Sequence, residues 1–220
     1  MFITAHFLIS ISELLGLDRG EQQDPIEFSK LFVSRLESLN FPSKTSSETK
    51  KLGHSLSLTH LLQGSLTYRT TCCDCRTASE PKVSAFLELE VNIEGQTSLC
   101  AAIANSFQDE PLLGDNRYHC SRCGGKRDAI RSTALKSLPA VLSLQLLRYV
   151  YDRSSGQKKK LQNRVQFPAR LNLAPYGGSS DDGDYVLVAV LYHKGPSAHG
   201  GHYVAETLDW AFGGDKDILY

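Results

Sequence analysis

The stretches Cys72-Cys73-Asp74-Cys75 and Cys120-Ser121-Arg122-Cys123 decide the fold, because each holds two cysteines in C-x-x-C spacing. A C-x-x-C turn places two sulfurs on the same side of the backbone, so each pair supplies half of a tetrahedral thiolate site. Residues 76–119 must then fold back like a hairpin to bring the two halves together. The spacing predicts one structural zinc ion, bound by Cys72, Cys75, Cys120 and Cys123.

The six cysteines have two other interpretations, a disulfide framework and buried apolar thiols. A disulfide framework needs an oxidising compartment, and the apolar residues 1–11 do not have the pattern of an export signal. They are also too few to span a membrane. Structural zinc is therefore preferred. Cys73 could compete as a ligand within the first pair, and Cys100 is predicted to be a buried thiol on a helix.

The composition limits the class of partner. With 220 residues, 41% of them hydrophobic, the chain can bury a core in one domain or two lobes. Its 24 basic and 24 acidic residues give a formal net charge of zero. This balance disfavours a zinc ribbon that binds nucleic acid through phosphate contacts. The basic run Lys158-Lys159-Lys160 is predicted to be a solvated hairpin tip.

A helix is predicted from Asp24 to Leu39. Asp24 can cap it, Pro25 fits the first helical position, and Glu27 has capping-box spacing. Apolar residues recur at helical intervals along one face, namely Phe28, Leu31, Phe32, Leu36 and Leu39. A loop follows over residues 41–57, and a second, shorter helix is predicted near residues 98–107.

Strand patterns account for much of the remaining sequence. Alternation along residues 85–93 predicts one half-buried strand, and residues 142–147 predict another. The apolar run of residues 185–192 predicts a strand buried on both faces, with residues 203–208 as its partner. The spacing favours antiparallel pairing, which indicates the α+β class.

The second informative stretch is Ser197-Ala198-His199-Gly200-Gly201-His202-Tyr203. Two glycines before His202 allow the backbone to approach a partner or substrate closely. An imidazole at this loop-to-strand junction can deprotonate a cysteine or serine. The alternative is a strand-end histidine satisfied by hydrogen bonds, and for an isolated histidine that alternative would be preferred.

Four motifs in a fixed order carry a family resemblance. They are Gln22-Gln23-Asp24-Pro25-Ile26-Glu27-Phe28, the two C-x-x-C pairs, Leu144-Gln145-Leu146-Leu147-Arg148-Tyr149 and Gly201-His202-Tyr203-Val204-Ala205. Together they resemble the ubiquitin-specific proteases, the papain-like family of cysteine deubiquitinating enzymes. The resemblance implies a partial catalytic domain of the α+β papain-like type. It would comprise a thumb remnant (1–45), zinc-binding fingers (60–135) and a palm with the histidine loop (136–220).

The resemblance also implies roles for individual residues. Gln23, Asp24 and Tyr203 would contact the ubiquitin tail, and His202 would be the catalytic base. Asp215 is the nearest acidic candidate for orienting His202, in a segment that departs from the family's W-x-x-F pattern. The implied partners are ubiquitin and ubiquitinated proteins, with neither a membrane nor a nucleic acid. The implied location is intracellular, in the nucleus, the cytoplasm or both.

The family's nucleophile has no counterpart in this sequence. The family carries it in an Asn-x-x-x-x-Cys stretch ahead of the Gln22-Gln23-Asp24 motif, whereas no cysteine precedes Cys72 here. We therefore expect this chain to be inactive as a hydrolase by itself. A non-catalytic ubiquitin-binding zinc module is the alternative. A zinc ribbon for nucleic acid would bind in a salt-sensitive manner and is disfavoured by the neutral charge.

Overall fold

A computed structural model describes residues 13–17, 24–38, 58–152, 154, 156–178, 183–197, 200–207 and 218–219. The chain divides into two compact units, residues 1–62 and residues 63–220. Across its described part, the chain contains no helix whose length and apolar character would suit a membrane span.

The first unit contains helices α1 (Pro25–Ser38) and α2 (Leu58–Leu62). Helix α1 begins where the capping pattern predicts. The Asp24 side chain accepts hydrogen bonds from the backbone N–H of Ile26 at 2.8 Å and of Glu27 at 3.3 Å. These bonds satisfy two of the amide donors that the start of a helix leaves open.

The apolar face of α1 differs in detail from the predicted one. Phe28 and Phe32 stack with their ring centroids 5.8 Å apart. Val33 is buried, whereas Leu31, which was assigned to the apolar face, is exposed. Leu39 and the loop predicted over residues 41–57 lie outside the described residues.

The second unit is built mainly of short strands, with one helix and two turns of 3₁₀ helix. Its elements are β1 (Gly64–Cys72), β2 (Lys82–Phe86), β3 (Glu88–Asn92), α3 (Leu99–Ser106), β4 (Glu110–Leu112), a 3₁₀ turn (Gly114–Asn116), β5 (Tyr118–Cys120), β6 (Gly125–Arg127), β7 (Ala129–Ser137), β8 (Ser143–Leu147), β9 (Tyr149–Asp152), β10 (Gln157–Lys160), β11 (Gln166–Phe167), β12 (Arg170–Asn172), a 3₁₀ turn (Ala174–Tyr176), β13 (Asp184–Val186), β14 (Ala189–Ser197), β15 (Gly200–Thr207) and β16 (Ile218–Leu219).

The largest described sheet has four antiparallel strands in the order β2-β1-β7-β4. The long pair β1–β7 runs from Ser65 opposite Ser137 to Cys72 opposite Ala129, with a register shift after Ser65. Strand β1 therefore delivers the first cysteine pair at its end. The second pair lies in the separate hairpin β5–β6.

The single strand predicted over residues 85–93 is two strands. Strand β2 pairs with β1, whereas β3 pairs with β8. The alternation of side chains stays in phase through Leu87, so periodicity cannot reveal that the chain changes partner there. The β3–β8 ladder is also parallel, so the prediction of antiparallel pairing is wrong for this pair.

The core of the second unit surrounds β3 and α3. Its buried residues are Val91, Ile93, Leu99, Ala102, Ile103, Leu135, Val165, Phe167 and Leu173. The helix predicted near residues 98–107 is confirmed, with Ser98 as its N-terminal cap position. Cys100 on this helix is exposed, so the prediction of a buried thiol is wrong. It follows buried Leu99 by one residue, and one residue is about 100° of helix rotation.

The apolar run of residues 185–192 is not one strand buried on both faces. Strand β13 pairs with β12, and β14 pairs with β15. Val186, Val188 and Leu191 are exposed. Val186 lies on the two-stranded ladder β12–β13 and Leu191 on the two-stranded ladder β14–β15 of the described chain, and Val188 lies between these ladders. The predicted partnership with residues 203–208 is confirmed by the β14–β15 pairing. We call this pair of strands the histidine hairpin.

Candidate functional site

The four cysteines predicted to bind zinc lie together in space. Cys72 and Cys120 are buried, while Cys75 and Cys123 are half-buried. Their Sγ atoms all lie within 4.8 Å of one another, and those of Cys75 and Cys120 are 3.6 Å apart. A tetrahedral site with Zn–S bonds of about 2.3 Å separates its sulfurs by about 3.8 Å. This cysteine cluster therefore fits one zinc ion.

The two C-x-x-C turns share one backbone geometry. The N–H of Arg76 donates to the carbonyl of Cys72, and the N–H of Gly124 donates to the carbonyl of Cys120, both at 3.0 Å. Both donors have positive φ, +57° at Arg76 and +68° at Gly124. This conformation suits glycine and costs other residues about 1–2 kcal/mol. The same turn thus forms at both pairs, although the first has no glycine there.

Exposed polar contacts join the two turns. Arg127 Nε lies 2.9 Å from an Asp74 carboxylate oxygen, and Arg122 Nη1 donates to Thr77 Oγ1 at 3.1 Å. Exposed ion pairs contribute about 0–1 kcal/mol each, because water screens them. A metal ion bound by all four sulfurs would be a much stronger link.

The thiols of the cluster differ in acidity. Hydrogen bonds with Thr77 lower the pKa of the Cys75 thiol to about 6. A hydrogen bond with Cys75, together with burial, raises the pKa of the Cys123 thiol to about 12. The Cys75 sulfur thus accepts a hydrogen bond from the Cys123 thiol, and this bond favours the protonated form of Cys123. A central divalent cation would replace these hydrogen bonds and favour all four thiolates.

The other two cysteines lie outside this arrangement. Cys73 occupies the first turn, but it is not in the group whose ligand atoms converge, and its N–H donates to the Asp128 carbonyl at 2.9 Å. All six cysteines are free of disulfide bonds. The predicted competition from Cys73 is therefore not seen in the geometry.

His202 is the third residue of β15 and lies opposite Lys194 of β14. Its side chain is exposed, so a substrate can reach it. Tyr203 is also exposed and lies opposite His193, with the two ring centroids 5.0 Å apart. His202 and Tyr203 are consecutive residues of β15, so their side chains point to opposite faces of the hairpin.

His193 is a neighbouring histidine that the sequence analysis did not single out. Its Nδ1 lies 3.0 Å from Tyr149 Oη and 3.1 Å from Lys160 Nζ. Lys160 also donates to the carbonyls of His193 at 3.1 Å and of Gly195 at 2.7 Å. Burial, followed by the charges of Lys160 and His202, lowers the pKa of His193.

The basic run is therefore only partly a solvated tip. Lys158 and Lys159 are exposed, but Lys160 is half-buried against the histidine hairpin. The only sequence signal was its position at the end of the run, next to the apolar Leu161.

The arginine of the third motif has structural partners. Arg148 Nη1 donates to the carbonyl of Asn163 at 2.8 Å, and burial lowers the pKa of Arg148. Asn163 in turn donates to the carbonyls of Ile93 at 2.9 Å and Gln96 at 2.7 Å. These bonds connect the end of β8 to the segment that follows β3.

The remaining predicted site residues are not brought together by the described structure. Gln23 and Asp215 lie outside the described residues. Asp24 caps α1 and is exposed. The tail-contacting roles of Gln23, Asp24 and Tyr203 stay predictions, as do the catalytic roles of His202 and Asp215.

The chain matches the family model described as Ubiquitin carboxyl-terminal hydrolase over residues 3–218. Ubiquitin carboxyl-terminal hydrolase 48 of Danio rerio is 42% identical to it over 210 residues, covering 93% of this chain and 19% of the relative. The protein of the same name from Rattus norvegicus is 42% identical over 213 residues, covering 93% of this chain and 20% of the relative. The chain thus spans about a fifth of the length of these relatives.

A solved structure shows the same architecture. It is a SAGA DUB module with Ubp8, bound to monoubiquitin, with a TM-score of 0.71 and 27% identity, covering 90% of this chain and 43% of that chain. The predicted ubiquitin-specific protease fold of the α+β class is confirmed by this likeness and by the family match. The chain belongs to the ubiquitin carboxyl-terminal hydrolase family, whose members are thiol-dependent deubiquitinases.

Proposed function

We propose that this chain forms the ubiquitin-binding fingers and the histidine-bearing palm of a cysteine-type deubiquitinase. Such an enzyme hydrolyses the bond that follows the C-terminal glycine of ubiquitin. The observation that supports this most strongly is the family match over residues 3–218, because it spans both the cysteine cluster and His202. The bound monoubiquitin in the similar Ubp8 module supports ubiquitin as the partner.

Zinc has a structural role in this proposal. Cys72, Cys75, Cys120 and Cys123 would hold it, and the ion would link the end of β1 to the β5–β6 hairpin. Four-cysteine sites are closed to substrate, so the metal supplies folding energy rather than catalysis. The proposed parts of the domain are a thumb remnant (1–45), zinc-binding fingers (60–135) and a palm with the histidine loop (136–220).

The proposed chemistry is nucleophilic. His202 would take the proton from a cysteine thiol, and the thiolate would attack the carbonyl carbon of the last glycine of ubiquitin. The imidazolium would then protonate the departing amine, and water would release ubiquitin from the thioester. Asp215 would hold the imidazole in the required orientation.

The nucleophile is expected in a segment ahead of Gln22, and no cysteine precedes Cys72 in this sequence. Four of the six cysteines form the metal-binding cluster. We therefore propose that these 220 residues bind ubiquitin and ubiquitinated proteins without hydrolysing them. Reduced thiols in such a site fit the proposed intracellular location, in the nucleus or cytoplasm.

Two measurements on the zinc-loaded chain test this proposal. Titration with ubiquitin, followed by calorimetry or NMR, is expected to show saturable binding. A fluorogenic ubiquitin substrate is expected to show no turnover. If the chain turns over the substrate and His202→Ala abolishes that turnover, the proposed inactivity of the chain is wrong. If no binding is seen at millimolar ubiquitin, the proposed recognition of ubiquitin is wrong.

The alternative is a non-catalytic ubiquitin-binding zinc module, in which fingers and palm serve as a recognition surface and His202 has no catalytic role. Fusing the nucleophile-bearing segment of a family member ahead of residue 22 separates the two functions. The deubiquitinase proposal expects the fusion to turn over substrate, and expects His202→Ala to abolish this while His60→Ala, at an exposed residue of α2, does not. A folded fusion that binds ubiquitin without turnover would favour the binding module.

A further inference from the structure

The hairpin β9–β10 contacts the histidine hairpin through Lys160 of β10 and Tyr149 of β9. Lys160 Nζ lies 3.1 Å from the His193 carbonyl, 2.7 Å from the Gly195 carbonyl and 3.1 Å from His193 Nδ1. An ammonium group has three N–H donors and no acceptor. All three donors are therefore directed at one three-residue segment of β14.

These contacts define the protonation state of His193. Lys160 can only donate, so the nearby Nδ1 must offer its lone pair and the ring proton must lie on Nε2. Tyr149 Oη lies 3.0 Å from the same nitrogen, where it shares the one lone pair of Nδ1 with Lys160. Burial and the charge of Lys160 lower the pKa of His193, in agreement with a neutral ring.

The other side of the His193 ring faces Gly201. A Cβ atom at Gly201 would overlap His193 Nε2 and the Lys194 carbonyl, and Gly201 has φ of +154°. A Cβ at Gly195 would overlap the same ring and the Gly200 carbonyl. The ring thus fills the space that the two glycines leave, and Gly201 directly precedes His202.

We propose that Lys160 and His193 are positioning residues for His202. Lys160 fixes the β14 backbone and the His193 ring, and the ring fixes the backbone at Gly201, from which the His202 side chain is aimed. This inference rests on the proposed role of His202 as the base. It adds two residues that touch neither the nucleophile nor the scissile bond.

The titratable and charged groups around His193 come from four strands. They are Tyr149 on β9, Lys160 on β10, Lys194 on β14, and His202 and Tyr203 on β15. Lys194 Nζ lies over the Tyr192 ring, 5.3 Å from its centroid, so its charge has a separate partner. Removal of the Lys160 charge is therefore expected to affect the protonation of the His193 ring more directly than removal of the Lys194 charge.

NMR of the zinc-loaded chain with ¹⁵N-labelled imidazoles tests the proposal without any variant. The expected result is a neutral His193 with its proton on Nε2 and an unprotonated Nδ1. A protonated Nδ1 at neutral pH would overturn the inference, because Lys160 could not then approach that nitrogen.

Substitution then tests the coupling to His202. Lys160→Met keeps the aliphatic stem and removes the donors, and it is expected to raise the pKa of His193 and to shift the His202 ring resonances. Lys159→Met, at the exposed neighbour on β10, is the matched control and is expected to change neither. If the His202 ring resonances of Lys160→Met are the same as those of Lys159→Met, Lys160 has no positioning role.

Ubiquitin titration of the same samples separates this inference from the proposed function. Absence of binding by the unsubstituted chain would overturn the proposed function, whatever the His202 resonances do. If ubiquitin binds but the His202 resonances do not respond to Lys160→Met, only the positioning role is overturned.

Discussion

The cysteine cluster and the histidine hairpin differ in how far each region determines its own geometry. Each C-x-x-C pair forms the same turn, closed by its own backbone hydrogen bond, and one metal ion would complete the site. His202 lies on an exposed strand whose conformation depends on Lys160 from another hairpin. The two turns of the first region are encoded locally and in duplicate, whereas the second region depends on contacts with residues more than thirty positions away in sequence.

Metal removal is expected to have the largest effect, and that effect should be strongest in the fingers. Zinc binding in small zinc modules is worth about 10–16 kcal/mol in apparent free energy. Chelation should therefore accelerate hydrogen exchange in residues 61–135, which include β1 and most of β7, far more than in residues 185–192 or in the histidine hairpin. Cys120→Ser should have the same effect, while Cys100→Ser, at the exposed thiol of α3, should not. Uniform exchange with and without chelator would contradict the assignment.

The same substitution in the two regions is expected to have the next largest effect. Leu135 on β7 is 3% exposed and belongs to the core, whereas Leu191 on β14 is 53% exposed. Leu135→Ala should lower the free energy of unfolding by about 2–5 kcal/mol, because it leaves a cavity. Leu191→Ala should change it by less than about 0.5 kcal/mol. Chemical denaturation of both variants measures this, and equal losses would mean that the histidine hairpin is more deeply packed.

The two cysteine turns allow a smaller test with opposite signs. Gly124→Ala puts a side chain at φ of +68° and should lower the free energy of unfolding by about 1 kcal/mol. Arg76→Gly relieves the same strain at φ of +57° and should raise it by somewhat less than about 1 kcal/mol, because glycine gains freedom in the unfolded chain. Denaturation at a fixed zinc concentration measures both. If both substitutions lower the free energy of unfolding, the two turns are not equivalent.

The smallest expected effect is a pH dependence of the histidine hairpin. The pKa of His193 is lowered in the folded chain, so the unfolded chain binds a proton first. Stability should therefore fall as the pH drops below about 6.5, and continue to fall until the folded-state pKa is passed. Lys160→Met should weaken this dependence, since it removes a nearby positive charge. Hydrogen exchange of β15 amides between about pH 7 and pH 5 measures it, with Lys159→Met as the control. Identical profiles in the two variants would contradict the assignment.

Local patterns predicted local features correctly. The capped start of α1, the short helix α3 and the pairing of β14 with β15 are each encoded by residues close in sequence. The cysteine cluster was also predictable, because a repeated C-x-x-C spacing has few other uses. In each case a short segment carries its own geometric constraint.

The errors lie where the partner of a segment matters more than its pattern. The alternation through Leu87 continues while the chain leaves one sheet for another. The apolar residues Val188 and Leu191 resemble a buried strand, but the structure leaves them exposed. Lys160 was indistinguishable from its two neighbours in the basic run, because its role depends on carbonyls more than thirty residues away. Periodicity carries no information about such distant contacts.

Titration of ubiquitin into the zinc-loaded chain, before and after chelation, tests the central claim most directly. The account predicts saturable binding with metal, and a marked loss of affinity once the cysteine cluster is emptied. Binding that is absent with metal, or unchanged without it, would contradict the claim that zinc-closed fingers form the ubiquitin-binding surface.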